Sequence, residues 1–98
     1  MAAVLFISYK LAKGAEDSQL MSVQEKIIKN FMSKQKGFIS WKVLRDGGNW
    51  ADLLEWETKE DAHNAMAASE QSPDNYELFA LLDEKSIVIN FFDVLKNY

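Results

Sequence analysis

The sequence predicts an α+β domain in which strands and helices follow the order β-α-β-β-α-β. Three observations carry this. Apolar residues fall at helical spacing between Asp17 and Lys36 and again after Thr58. Two strand-like runs, Phe38 to Arg45 and Trp50 to Glu57, flank Asp46-Gly47-Gly48-Asn49, a strong hairpin signal. Runs rich in β-branched and aromatic residues open and close the chain, VLFISYKL at Val4 to Leu11 and SIVINFFDVL at Ser86 to Leu95.

Each element has its own signals. After the first strand, AKGAEDS holds Gly14 and the acidic pair Glu16 and Asp17, which suit a loop feeding a helix N-terminus. The first helix then runs on Leu20, Val23, Ile27, Ile28 and Phe31, with Lys and Gln between them. Lys34 and Lys36 followed by Gly37 predict its end: basic residues in the last turn, then a residue free to take positive φ. Thr58 reads as the N-cap of the second helix, with Asp61 three residues on as a near capping box. Ser72-Pro73 breaks that helix, and Tyr76 to Leu82 forms a short helical turn. Right-handed crossovers place the first and third strands side by side in the middle of one sheet, with the helices on one face. This is a ferredoxin-like, four-stranded antiparallel arrangement.

Composition bounds the chemistry. The 98 residues make one domain, 1–98. A formal charge of −4 and eleven scattered basic residues argue against nucleic acid, whose phosphates need clustered Lys and Arg. There is no cysteine, which excludes thiol catalysis and disulfides, and a single histidine argues against a protein-only metal site. No segment reaches the roughly 20 apolar residues that span a bilayer, and Ala2 to Tyr9 lacks the basic flank of a signal peptide. The expectation is a cytoplasmic protein without membrane contact.

The strands are apolar on both sides. Leu5, Ile7, Tyr9 and Leu11 share one face of the first, and Val4 and Phe6 lie on the other. In the last, Ile87, Ile89 and Phe91 oppose Val88, Phe92 and Val94. Two helices cover only one face, and the other would leave an apolar patch larger than monomers tolerate. A homodimer joined through the open sheet face follows. If Arg45 pairs with Trp50 across the turn, parity puts Ile39, Trp41, Val43, Arg45, Trp50, Asp52, Leu54 and Trp56 on one face. Phe38, Ser40, Lys42, Leu44, Ala51, Leu53, Glu55 and Glu57 take the other. All three tryptophans then share a side with one carboxylate, as core, as dimer surface or as the wall of a pocket.

Several motifs resemble the antibiotic biosynthesis monooxygenase-like proteins of the dimeric α+β barrel superfamily. They are Lys36-Gly37-Phe38-x-Ser40-Trp41, Trp56-Glu57-Thr58-Lys59-Glu60-Asp61-Ala62, and Ser72-Pro73 followed by Phe79-Ala80-Leu81-Leu82-Asp83. The resemblance runs from Val4 to Val94. It implies subunits that pair sheet to sheet and, in some members, oxidation of phenolic polyketides to quinones without metal or flavin, hence no cofactor. Other members degrade haem. That activity implies an Asn on the first strand, a Trp in the second helix and a distal His ligand; Asp61 to Glu70 has no Trp, and its only His, His63, lies near the wrong end.

Quinone-forming members use Asn-x-x-x-Trp on the third strand, and the matching positions here are Asp52 and Trp56. Trp56 fits and Asp52 departs: an amide can hydrogen-bond a developing oxyanion, whereas a carboxylate repels it. Asp52 could instead act as a general base if burial raised its pKa, or simply pair with Arg45. His63, on the flank of the second helix, is a candidate acid/base at a pocket mouth or a surface histidine. Tyr9, Trp41, Tyr76, Phe79 and Phe92 are candidate ligand-binding aromatics whose alternative role is packing. The reading is a cofactor-independent monooxygenase acting on a small aromatic or polyketide-like compound; the competing one is a non-catalytic ligand-binding or structural homodimer.

Overall fold

The computed structural model describes residues 1–98. Its elements are β1 (Ala3–Tyr9), α1 (Asp17–Asn30), β2 (Phe38–Asp46), β3 (Asn49–Trp56), α2 (Lys59–Ser69), α3 (Pro73–Ala80) and β4 (Val88–Asp93). The strands form one antiparallel sheet in the order β2-β3-β1-β4, with the first and third strands in the middle as the crossover rule requires. No helix is long and apolar enough to cross a membrane.

The hairpin has the expected register, Arg45 opposite Trp50 and Asp46 opposite Asn49, with Gly47 at φ 60° in the two-residue turn. Parity fails at its far end. A bulge between Phe38 and Ser40 inserts Ile39, so Phe38 pairs with Trp56 and turns to the helix side, while Ile39 is exposed. Phe38 meets the Trp56 ring edge-on, with centroids 5.5 Å apart.

Helix α1 also stops before its expected end. At Phe31 the backbone leaves helical angles (φ −132°, ψ −63°), and a 3-10 turn follows over Met32–Lys34. The turn brings Phe31 and Met32 together onto the core, which outweighs the helical preference of the residues beyond. Lys34 and Lys36 thus lie past the helix. Gly37 does take positive φ, at 80°, and its carbonyl accepts a hydrogen bond from Glu57 N–H at 2.8 Å. Thr58 caps α2 as expected, its hydroxyl oxygen accepting from Asp61 N–H at 3.0 Å. Proline at the first position of α3 starts a full two-turn helix there, earlier than the turn expected from Tyr76.

The core lies between the sheet and the helices. Leu5, Leu54 and Trp56 pack there against Val23, Ile27, Met32, Ala62 and Ala65. Tyr9, Leu20, Trp50 and Leu82 form a second cluster near the hairpin turn. All three tryptophans therefore face the helices. The opposite face of the sheet carries Val4, Phe6, Leu44, Leu53, Val88 and Phe92 with no layer over them.

Candidate active site

Strand register builds the site. Ile7 lies opposite Asp52, so Tyr9, two residues on along β1, is the diagonal neighbour of Asp52 on the same face. The Tyr9 hydroxyl donates to Asp52 Oδ1 at 2.9 Å. Gln24 reaches the pair from α1, its Nε2 donating to Tyr9 Oη at 3.2 Å and to Asp52 Oδ1 at 3.4 Å. All three side chains are buried. An ionised carboxylate only accepts hydrogen bonds, so the Gln24 amide must turn its nitrogen toward Asp52. Oδ1 is thereby committed to protein donors, while Oδ2 receives no hydrogen bond of standard geometry.

Burial lifts the Asp52 pKa from 3.8 to about 6, opposed by the hydrogen bond from Tyr9. The Trp41 indole N–H also favours the charged form by its proximity, although it closes no hydrogen bond of standard geometry. Tyr9 moves well above its ordinary value, first by burial and then by the Asp52 charge, so it keeps its proton and remains a donor. Asp52 is thus a desolvated carboxylate with one free oxygen, ionised at neutral pH and more basic than a surface aspartate.

Asp52 lines an apolar cavity of about 50 Å³. Ile7, Tyr9 and Leu54 form its floor, and Met66, Leu78 and Phe79 of α2 and α3 lie among its other walls. Helix α3 contributes no buried residue and is fastened to α1 by exposed contacts, Lys26 Nζ to Glu77 at 3.2 Å and Asn30 Nδ2 to Asp74 at 3.2 Å. An apolar cavity of roughly 150 Å³ is known to admit benzene. At its present size the hollow therefore holds less than one aromatic ring.

Of the residues singled out from sequence, Asp52, Tyr9, Trp41 and Phe79 meet at this cavity. Trp56 shares the face with Asp52, but Leu54 stands between them, and Trp56 is sealed in the core against Phe38 with its indole N–H unpartnered. His63 stacks on Phe91, with centroids 3.8 Å apart and planes at 18°, outside the cavity wall. Tyr76 is 70% exposed on α3, and Phe92 lies on the opposite face of the sheet. Arg45 does not pair with Asp52; it binds Asp17 at 2.6 Å and lies 5.5 Å from the centre of the Trp50 ring. Gln24 is the member of this buried cluster that sequence reading passed over. The available signal was its place four residues after Leu20, on the buried stripe of α1.

Comparison with solved structures supports the same architecture. The chain superposes on SnoaB, a cofactor-independent oxygenase from Streptomyces nogalater, with a TM-score of 0.80 at 16% identity, covering 98% of this chain and 95% of that one. A protein from Caulobacter crescentus with the provisional name antibiotic biosynthesis monooxygenase gives 0.77 at 9% identity, over 97% and 91%. The fold is that of the antibiotic biosynthesis monooxygenase-like proteins. Rv0793 from Mycobacterium tuberculosis shares it too, with a TM-score of 0.72 at 14% identity, covering 99% and 98%. No protein-family model matches the chain, and no curated protein matches it.

Proposed function

We infer that the protein is a cofactor-independent oxygenase of a small, apolar aromatic compound of the phenolic or polyketide-like class, working as a homodimer. The observation that carries this reading is the buried Asp52 carboxylate, lifted to about 6 and facing an apolar cavity with one oxygen unclaimed. SnoaB's description as a cofactor-independent oxygenase, on the same fold, supports it.

In this mechanism Asp52 Oδ2 removes a proton from an activated ring methylene. The apolar surroundings favour the delocalised carbanion over its hydration. The carbanion reduces O₂ and combines with it, and a proton gives the hydroperoxide. Loss of water then leaves a carbonyl: the methylene carbon loses four electrons, and O₂ gains four, one oxygen atom in the product and one in water. Tyr9 and Gln24 hold Asp52 in place throughout. Trp41 and Phe79 contact the ring. Trp56 supports the floor from the core, and His63 takes no part.

Oxygen uptake and ultraviolet spectra with a panel of hydroxyanthrones, and with catechols as controls that carry no ring methylene, test this. The expected result is turnover whose kcat/KM rises with pH through a midpoint near 6 and then levels, because only ionised Asp52 accepts the proton. Asp52→Ala should lose at least about a hundredfold of that rate, the usual share of a positioned base. No turnover across the panel, or turnover unchanged in Asp52→Ala, removes the enzymatic reading and leaves a ligand-binding or structural dimer.

A further inference from the structure

A second hollow lies beside the first. Helix α1 and strand β2 leave a groove of about 290 Å³ between them, against about 50 Å³ inside. Met21, Ile28, Phe38 and Val43 give it apolar walls. Trp41 borders both hollows, and Gln24, whose amide holds Asp52, borders the groove. These two side chains form the partition between the groove and the carboxylate.

The partition is incompletely satisfied. Gln24 is 5% exposed, and its Oε1 is buried with no hydrogen-bond partner. The orientation of its amide is already fixed by Asp52, so Oε1 cannot exchange places with the nitrogen. Trp41 Nε1 is buried too and closes no hydrogen bond of standard geometry, although it lies near the Asp52 carboxylate. The Gln24 acceptor thus stands unpaired in this thin wall, and groups of this kind destabilise a fold unless something satisfies them. No hydrogen bond fastens the Trp41 ring, and it belongs to the edge strand of the sheet.

We propose that the groove and the inner cavity are two halves of one binding site, separated by the Trp41 ring acting as a gate. The groove takes the larger part of a flat, uncharged ligand, and only the reacting edge enters beside Asp52. This rests on the reading of the inner cavity as a ligand site and resolves its small volume. The groove approaches the lower end of the roughly 300–1,000 Å³ that small-molecule sites occupy. A hydroxyl on the ligand can donate to Gln24 Oε1, the acceptor left without a partner. The groove carries Glu25 and no Lys or Arg, and Asp52 stands behind it. Carboxylates and phosphates are therefore repelled, and neutral phenols are favoured.

The test uses 1-naphthol as probe and 1-naphthoate as its charged control, followed by ¹⁵N NMR of the full chain. The Trp41 indole signal is assigned by its loss in Trp41→Phe. Naphthol should shift the Trp41 indole and the Gln24 side-chain amide, and naphthoate should bind about tenfold more weakly or not at all. Ile28→Trp, which fills the groove from α1, and Val43→Trp, which fills it from β2, should each weaken naphthol binding by about tenfold. Two variants from different elements guard against one that fails to fold. Absence of naphthol binding overturns the proposal. So do shifts confined to the Asn75 amide on the inner cavity, with affinity unchanged in both groove variants. Oxygen uptake on hydroxyanthrones that persists unaltered in those variants removes the gate and leaves the oxygenase standing. Naphthol binding through the groove without oxygen uptake on any of the panel does the reverse.

Discussion

Asp52 sets protonation against burial at a single residue. Its carboxyl titrates near 6 in the fold and near 3.8 when exposed, so the folded state holds the proton more tightly than the unfolded chain does. The resulting stabilisation is complete below about 3.8 and is lost as the pH rises through about 6. The two-unit difference corresponds to about 3 kcal/mol. Asp52→Asn removes the charge and keeps an oxygen for the Tyr9 hydroxyl. In urea denaturation it should be more stable than the parent by about 1–3 kcal/mol at pH 8, with little difference at pH 4. A variant less stable at pH 8 would mean that the bonds from Tyr9 and Gln24 outweigh the burial of the charge. The residues of the pair were legible in the sequence, because parity along β1 and β3 put Tyr9 and Asp52 on apolar faces. Their contact was not, since it depends on which residue of β1 lies opposite Asp52. Gln24 escaped because a polar residue on a helix stripe is ordinarily read as a break in it.

Among elements, the hairpin was the most legible, since Asp-Gly-Gly-Asn restricts the turn and the turn fixes the register. What failed was the assumption that alternation continues undisturbed to Phe38. No local residue type marks the bulge; it is held by the ring of Phe38 against Trp56 and by the link from Gly37 to Glu57, both set by tertiary packing. The same corner yields a prediction. At Gly37 a methyl group would adopt positive φ and run into the Asp61 carboxylate, which is buried. At Gly14, with φ 87°, the space around a methyl is open. Gly14→Ala should therefore cost only the backbone term, about 1 kcal/mol or slightly more, whereas Gly37→Ala should exceed it by about 1–3 kcal/mol. Equal shifts in the urea midpoints of the two variants would show that Asp61 moves aside freely.

Across the whole molecule, strand order followed from the handedness of crossovers, but the side taken by the helices was not readable. Both faces of β1 and β4 are apolar, and hydrophobicity alone does not rank them. The structure resolves this through the large side chains: Trp50 and Trp56 are buried beneath the helices, and Ser8, Ser40, Lys42, Glu55 and Asn90 dilute the opposite face. That face still exposes Leu44 by 41%, Val88 by 52% and Phe92 by 52%. Light scattering after gel filtration should give twice the chain mass of 11.2 kDa. Phe92→Glu combined with Leu44→Glu should bring the mass to that of one chain, because facing carboxylates would be forced into an apolar contact. A parent protein that runs as a monomer at micromolar concentration would remove the dimer. The cavity was legible only as a face, since its roof depends on how α2 and α3 lie over the sheet.

The bulge on β2 has a consequence for how this chain is compared with others. Phe38 and Trp41 both point toward the helices, and Ser40 points away, so Ile39 is supernumerary to the pleat. A sequence lacking it would keep Trp41, Gln24 and Asp52 in the same relation, with the strand merely straighter. When such sequences are aligned, the gap belongs at position 39 and not in the turn. Placed in the turn, it would shift the residues of β2 from Ser40 onward to the wrong side of the sheet and hide the tryptophan beside the carboxylate.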